Sequence, residues 1–441
     1  MNELFAAVPL LAPWVLPVAY ALAAVVVGLL WLTRTRRLTW PRQVALVIAA
    51  GAVGVLAWLA VDVWWHPVAD GIGRYVWAWV AVIALVVLQV VTRRGPRRAR
   101  FSLGRRAGAV GAGLAATIGV LVAALLAVNA HFGAYPTLSA ALGLGIETTT
   151  LDAVATADPA NGRPAGPLVD SWTPPLGMPA AGQIVTADIP ASDPNFTPRT
   201  AYVYLPPAYL TESRPVLPVL VLLSGQPGEP RDWLTAGSLQ KSVDAYAQAH
   251  DGLAPVIVIP DPLGASTANP LCSDAYQGNV ATYVQTDVPA WIDRNLQVDP
   301  DRNRWAIAGL SNGATCALQV VTRAPTLFRT FLSMSGEAHP TLGSEEATIE
   351  QAFGGDQAAY AANDPLSLLA KNRYEGITGL FSVGADDAEY RPQMEQVEAA
   401  AAASGMTVET RTYPGGHGWN VWSAALADQV GWLGDRLGIT A

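Results

Sequence analysis

Charge is scarce in this chain. Only 14% of its 441 residues are charged, against about 25% in an ordinary soluble domain. The deficit excludes a uniformly water-exposed globule and points to a membrane part. Cysteine is scarcer still. Cys272 and Cys316 are the two in the chain, and neither a CxxC nor a Cys/His metal pattern is present. Histidine numbers five, few enough to search for a catalytic base by elimination. The start of the chain lacks a basic n-region, so its first apolar run does not read as a cleaved signal peptide.

What charge there is falls unevenly. Residues 1–131 hold 12 Arg against three acidic residues, Glu3, Asp62 and Asp70, whereas 132–441 holds 15 basic and 32 acidic residues. An acidic second part repels phosphate backbones, which argues against nucleic acid as a partner. The basic first part contains four apolar stretches, near Trp14–Leu32, Val44–Trp64, Tyr75–Val91 and Ala107–Ala130. Most approach the roughly 20 residues a membrane span needs, and Trp14, Trp31, Trp40, Trp64 and Trp65 sit at their ends, as interfacial tryptophans do. The first connecting loop carries Arg34, Arg36, Arg37 and Arg42, and the third carries seven arginines between Arg93 and Arg106. The second has Arg74 against Asp62 and Asp70. The positive-inside rule puts loops one and three in the cytoplasm. The expectation is a four-helix transmembrane bundle over 1–131 in the plasma membrane, with the N-terminus and the rest of the chain extracytoplasmic. His66 and His131, at span ends, read as structural. Residues 132–182, rich in Ala, Gly, Pro and Thr, read as a partly ordered extracytoplasmic linker.

From 183 to 441 the pattern becomes short β-rich runs alternating with helical stretches. Candidate strands are Thr200–Leu205, Pro218–Leu223, Pro255–Ile259, Arg304–Ala308, Thr330–Ser335, Gly379–Val383 and Val408–Tyr413. Candidate helices include Tyr283–Leu296, Gly313–Arg323, Arg391–Ala403 and Val421–Leu437. Continuous apolar runs such as VLPVLVLLSG suit strands covered by helices on both faces, hence a mostly parallel α/β sheet.

One segment carries chemistry: RWAIAGLSNGATCALQVVTR. A strand ends at Ala308, Gly309-Leu310-Ser311-Asn312-Gly313 follows as G-x-S-x-G, and an amphipathic helix comes next. That context makes the motif a strand-to-helix turn that lifts Ser311 above the sheet and aims the amide of Asn312 at a developing oxyanion. A serine hydroxyl needs a base. In this arrangement the chain order is Ser, acid, His, and two histidines follow Ser311. His339, in SMSGEAHP, comes too early and reads as a loop or pocket-lining residue. His417, in TYPGGHGWNVW, lies between the last strand and the last helix, where the base belongs. The acid is sought in GLFSVGADDAEYRPQ, among Asp386, Asp387 and Glu389; the G-x-x-D spacing from Gly384 favours Asp387. A second oxyanion amide is expected from Gln226, after the strand ending at Leu223, because Pro227 has no N–H. Trp233, just beyond, is a candidate pocket wall. Arg231 is a candidate for holding a polar substrate head, or else pairs with Asp232. Trp291 reads as core.

In these pieces, together with VYLPPAYL at 203–210, the chain resembles the putative-esterase family, which includes esterase D-type enzymes and secreted mycolyltransferases. The resemblance covers about Thr200 to Leu437. It implies an α/β-hydrolase fold with Ser311 as nucleophile, His417 as base, Asp387 as acid and the amides of Gln226 and Asn312 as oxyanion donors. It implies no metal and no organic cofactor. Many relatives have His-Gly or Asp-Gly in the oxyanion loop, and this chain has Ser224-Gly225. The four-span anchor resembles a membrane-tethered actinobacterial subset, in which a cysteine of the elbow helix, here Cys316, pairs with one after the third strand, here Cys272; an extracytoplasmic location permits that bond, and two free thiols are the alternative. The expected activity is hydrolysis of acyl esters of envelope lipids or acylated sugars. Alternatives are acyl transfer to a sugar hydroxyl, by the same residues, and a non-catalytic lipid-binding protein. The expected partners are the ester substrate and the lipid bilayer, with no obligate protein partner evident.

Overall fold

The computed structural model describes residues 8–32, 39–65, 73–92, 103–144, 146–151 and 165–441. The chain divides into two compact units, Met1–Gly145 and Ile146–Ala441. The basic loop residues Arg34–Arg37 and Arg93–Arg100, together with His66 and Asp70, lie outside the described residues.

The first unit contains the helices Val15–Leu32, Trp40–Trp58 (continuing to Trp65 as a wider π-helical turn), Arg74–Val91 and Leu103–Phe132. Small residues let them approach: Ala23, Ala116 and Ala123 form the buried centre with Val86 and Val120. The outward faces are aliphatic, with Leu22, Ile48, Leu56, Leu114 and Leu125 exposed. Among the described residues, three helices are long and apolar enough to cross a membrane: Trp40–Trp65, Arg74–Val91 and Val110–Phe132. Four spans were expected, and three meet that length. The first run has a shorter apolar stretch, Val15–Leu29, which at about 1.5 Å per residue reaches some 22 Å of the roughly 30 Å hydrocarbon core.

The second unit is built on one nine-stranded sheet. Its strands are β1 (Thr148–Thr150), β2 (Gln183–Ala187), β3 (Ala201–Leu205), β4 (Val219–Leu223), β5 (Val256–Ile259), β8 (Trp305–Leu310), β9 (Thr330–Met334), β10 (Thr378–Gly384) and β11 (Thr407–Tyr413); a separate small hairpin joins β6 (Asp274–Ala275) to β7 (Gly278–Asn279). The sheet order is β1-β2-β3-β5-β4-β8-β9-β10-β11. Only β3 runs against its neighbours, pairing antiparallel with both β2 and β5. The cause of the parallel centre is visible in the residues. β4 (VLVLL), β5 (VIVI), β8 (WAIAGL) and β9 (TFLSM) are buried at every position, as strands with helices on both faces must be. β11 (TVETRTY) is mostly polar, carries Glu409 and Arg411, and ends the sheet; charged residues of this kind blunt an exposed edge.

The stretch expected to be linker, 132–182, is divided between the units. Thr148–Thr150 extends the sheet by pairing in parallel with β2. Leu168 is buried, and the amides of Leu168 and Val169 donate to the carbonyls of Gly438 and Ile439 at 3.0 and 3.1 Å. Three threonines carry no hydrophobic period, so periodicity had no means of finding β1.

Cys272 and Cys316 form a disulfide. It fastens the segment after β5 to the helix that follows β8. The enclosed loop spans 44 residues, for which chain entropy gives about 4 kcal/mol at most. The double variant Cys272→Ser/Cys316→Ser is expected to melt roughly 10 °C lower in a thermal scan of the detergent-purified protein. An unchanged melting temperature would show that the bond adds nothing to stability.

Candidate active site

The turn after β8 is forced by packing. Ser311 has φ 51° and ψ −127°, a region that costs a non-glycine residue of order 1–3 kcal/mol. It is held there by its amide, which donates to Met334 O at 2.8 Å, and by its carbonyl, which accepts from Ala314 N at 2.8 Å. The flanking glycines are a steric requirement. A Cβ at Gly309 would lie 2.2 Å from Gly313 O, and one at Gly313 would lie 2.5 Å from Ser224 O. The Asn312–Arg323 helix therefore starts hard against the end of β4, with its first amides beside Ser311.

Three of the expected residues meet in series. His417 Nε2 stands 2.9 Å from Ser311 Oγ, and His417 Nδ1 stands 2.9 Å from Asp387 Oδ2. Asp387 is buried, and its other oxygen accepts from Tyr390 N at 3.1 Å. Asp386 and Glu389 are exposed. The sheet explains the meeting. β8, β10 and β11 are parallel members of one sheet, so the loops after them open on the same edge, and those loops carry Ser311, Asp387 and His417.

Two aromatic rings hold the imidazole. Tyr390 stacks on His417 with ring centres 3.8 Å apart and planes 20° apart, and Trp422 meets it edge-on at 4.9 Å. Trp422 Nε1 in turn donates to Ser335 Oγ at 3.2 Å. Both rings lie in segments already singled out, GADDAEYRPQ and GGHGWNVW, but spacing carries no signal for a ring stacked on an imidazole.

The loop after β4 is a second case of tertiary bracing. Ser224 Oγ donates to Glu229 O at 2.9 Å and closes the loop on itself; this is the use made of serine at that position. Gln226 Nε2 donates to Thr267 O and Gly228 N to Ser266 O, both at 2.9 Å. Arg199 grips the buried Asp261 with two bonds of 2.7 and 2.8 Å and donates to Gly228 O at 2.9 Å. That bond to Asp261 holds the Arg199 pKa above its ordinary value. Asp232 accepts from Glu229 N at 2.8 Å, and burial pushes its carboxyl up to about 6.

The expected substrate contacts need one correction. Trp233 is fully buried, donates to Leu223 O at 3.1 Å and packs against Trp419 with ring centres 5.3 Å apart. It braces the end of β4 from below and presents no surface to a ligand; Trp419, half-buried, is the ring of that pair nearer solvent. Arg231 is half-buried, and its backbone starts the short Asp232–Thr235 helix. Trp291 is buried in the core. Among the described residues no group of three His, Cys, Asp or Glu is arranged to hold a metal ion.

Comparison with known proteins agrees with this architecture. Residues 196–433 match the family model described as putative esterase. An uncharacterised protein of Corynebacterium glutamicum is 31% identical over 414 residues, covering 92% of this chain and 91% of that one. A match of that length exceeds the second unit, so the relative shares the N-terminal unit too. An S-formylglutathione hydrolase of Paracoccus denitrificans is 26% identical over 269 residues, 55% of this chain and 90% of its own. Among solved structures, a ferulic acid esterase superposes with a TM-score of 0.50 at 20% identity, covering 59% of this chain and all of that one. With these matches on an α/β-hydrolase sheet, the chain belongs to the putative esterase family and is a serine hydrolase.

Proposed function

We propose that this protein is a membrane-anchored, extracytoplasmic esterase that hydrolyses acyl esters of envelope lipids or acylated sugars. The observation that carries the reading is the hydrogen-bonded series from Ser311 Oγ through His417 to Asp387. Ser311 attacks the acyl carbonyl while His417 Nε2 takes its proton. Asp387 fixes the imidazole with its proton on Nδ1 and stabilises the imidazolium that forms. The amides of Gln226 and Asn312 receive the oxyanion. His417 then protonates the leaving alkoxide, and water, activated by the same imidazole, clears the acyl-enzyme.

The first unit supports this location. An aliphatic exterior is what a bilayer covers. The side on which the hydrolase unit emerges depends on the three long helices alone, because the basic loops at 33–39 and 93–102 both belong in the cytoplasm. The N-terminus depends on Val15–Leu32. Leu10 N donates to Pro136 O at 2.8 Å and Leu138 N to Val8 O at 3.0 Å. Trp77 Nε1 donates to Asp62 Oδ2 at 2.6 Å, and Tyr75 stacks on His131 at 4.6 Å. Val8, Leu10, Asp62, Tyr75, Trp77, His131, Pro136 and Leu138 are linked by these contacts at one end of the bundle, which supports a fourth crossing and an N-terminus on the hydrolase side. The disulfide supports an oxidising compartment.

A charged, membrane-impermeant fluorophosphonate added to intact cells is expected to label the wild-type protein. Labelling that requires lysis would move the hydrolase unit to the cytoplasm. Failure of the detergent-purified, folded protein to label would sink the esterase reading.

A further inference from the structure

A second histidine–aspartate pair stands apart from the Ser311 series. His339 Nδ1 lies 2.8 Å from Asp364 Oδ1. Asp364 has 3% of its side chain exposed, and its other oxygen accepts from Ser367 N at 2.8 Å. The ring is thereby fixed in orientation while remaining 41% exposed. Among the described residues nothing bonds its Nε2. The bond to Asp364 raises the imidazole pKa, with the charges of Asp364 and Glu345 adding to it and burial opposing.

The segment that carries His339 is strung across the candidate site. Met334, just before it, receives the amide of Ser311. Ser335 receives Trp422 Nε1, whose ring edges onto His417. Ala338 N donates at 2.9 Å to Gln393 Oε1, on the helix that begins with Tyr390. Beyond His339, Thr341 O accepts at 2.9 Å from Asn269 Nδ2, and Asn269 Oδ1 accepts at 3.3 Å from Asn312 Nδ2. His339 therefore lies between the wall that holds the base and the wall at the start of the elbow helix.

We propose that His339, oriented by Asp364, binds hydroxyl groups on the alcohol part of the ester, so that the substrate class is an ester of a polyhydroxy alcohol. The inference rests on the reading of Ser311 and His417 as nucleophile and base. The alcohol part is the one concerned because the leaving oxygen must lie on the His417 side to be protonated, and the His339 segment starts there. Hydroxyl is the matching chemistry for a physical reason. Neutral, with its proton on Nδ1 toward Asp364, the ring offers Nε2 as an acceptor; protonated, it offers Nε2–H as a donor. A hydroxyl group answers both states. A carboxylate or phosphate would meet the repulsion of Asp364 and Glu345, and an alkyl alcohol would leave Nε2 unused.

The test compares kcat/KM for glycerol monobutyrate and ethyl butyrate in the purified full-length protein, using wild type, His339→Leu and His339→Gln. The glycerol-to-ethyl ratio is expected to fall about tenfold in His339→Leu, through KM, with partial recovery in His339→Gln. An unchanged ratio, or an equal loss on both esters, overturns the proposal while fluorophosphonate labelling of Ser311 persists. Loss of labelling in the wild type would instead bring down the esterase reading on which it rests.

Discussion

Ser311→Ala is expected to lower kcat for p-nitrophenyl butyrate by about a million-fold while KM changes little. The size follows from what the side chain does. In the proposed mechanism no acyl-enzyme forms without Oγ, and the remaining rate would come from the amides of Gln226 and Asn312 polarising a bound ester toward water, an effect of order 10³ to 10⁴ over solution. His417→Ala should fall nearly as far, because an unassisted serine hydroxyl is a poor nucleophile at neutral pH. The double variant should be no worse than either single one, since the two residues act as a unit across their 2.9 Å contact. Steady-state kinetics on the purified variants, with melting curves to confirm folding, read the result directly. Activity of Ser311→Ala within tenfold of wild type would remove Ser311 from the mechanism.

The second large effect distinguishes two adjacent carboxylates. Asp387→Asn is expected to lower kcat by about 10⁴-fold, and Asp386→Asn to stay within about twofold of wild type. Asp387 is buried and accepts from His417 Nδ1–H and from Tyr390 N. An amide there can donate to Nδ1, leaving the proton on Nε2, where it blocks removal of the Ser311 proton. Asp386 is exposed, and what it supplies to the loop is its backbone amide, which donates to Gly415 O at 2.8 Å; asparagine keeps that bond. The same ester assay decides, and a reversed pattern would assign the acid to Asp386.

The two carboxylates also mark where local reading stops. A G-x-x-D spacing favours one residue over its neighbour, but burial and a 2.9 Å contact with an imidazole 30 positions away are facts of packing. Trp233 shows the opposite outcome. Its place just after the oxyanion loop suggested a pocket wall, yet the side chain turns under β4, where its N–H satisfies the carbonyl of Leu223 and its ring meets Trp419. Position along the chain fixed its neighbourhood and said nothing about which way the side chain points.

Some properties needed no fold at all. A buried parallel strand must be apolar on both faces, so the runs that became β4, β5, β8 and β9 stood out. A tight strand-to-helix turn needs glycines where other backbone presses close, so the G-x-S-x-G around Ser311 stood out as well. Apolar runs separated by clustered arginines gave the expectation of a membrane part, and among the described residues three helices there are long and apolar enough to cross a membrane. These are local demands, written over a few adjacent residues. The tertiary structure decided the rest: that three threonines at 148–150 join the sheet, that Arg199 and Asp261 clamp the loop of Gln226, that Tyr390 stacks on His417, and that His339 finds Asp364. Each of these joins residues far apart in the chain, and which partner a side chain meets is set by how the strands order themselves in the sheet, which no short stretch of sequence encodes.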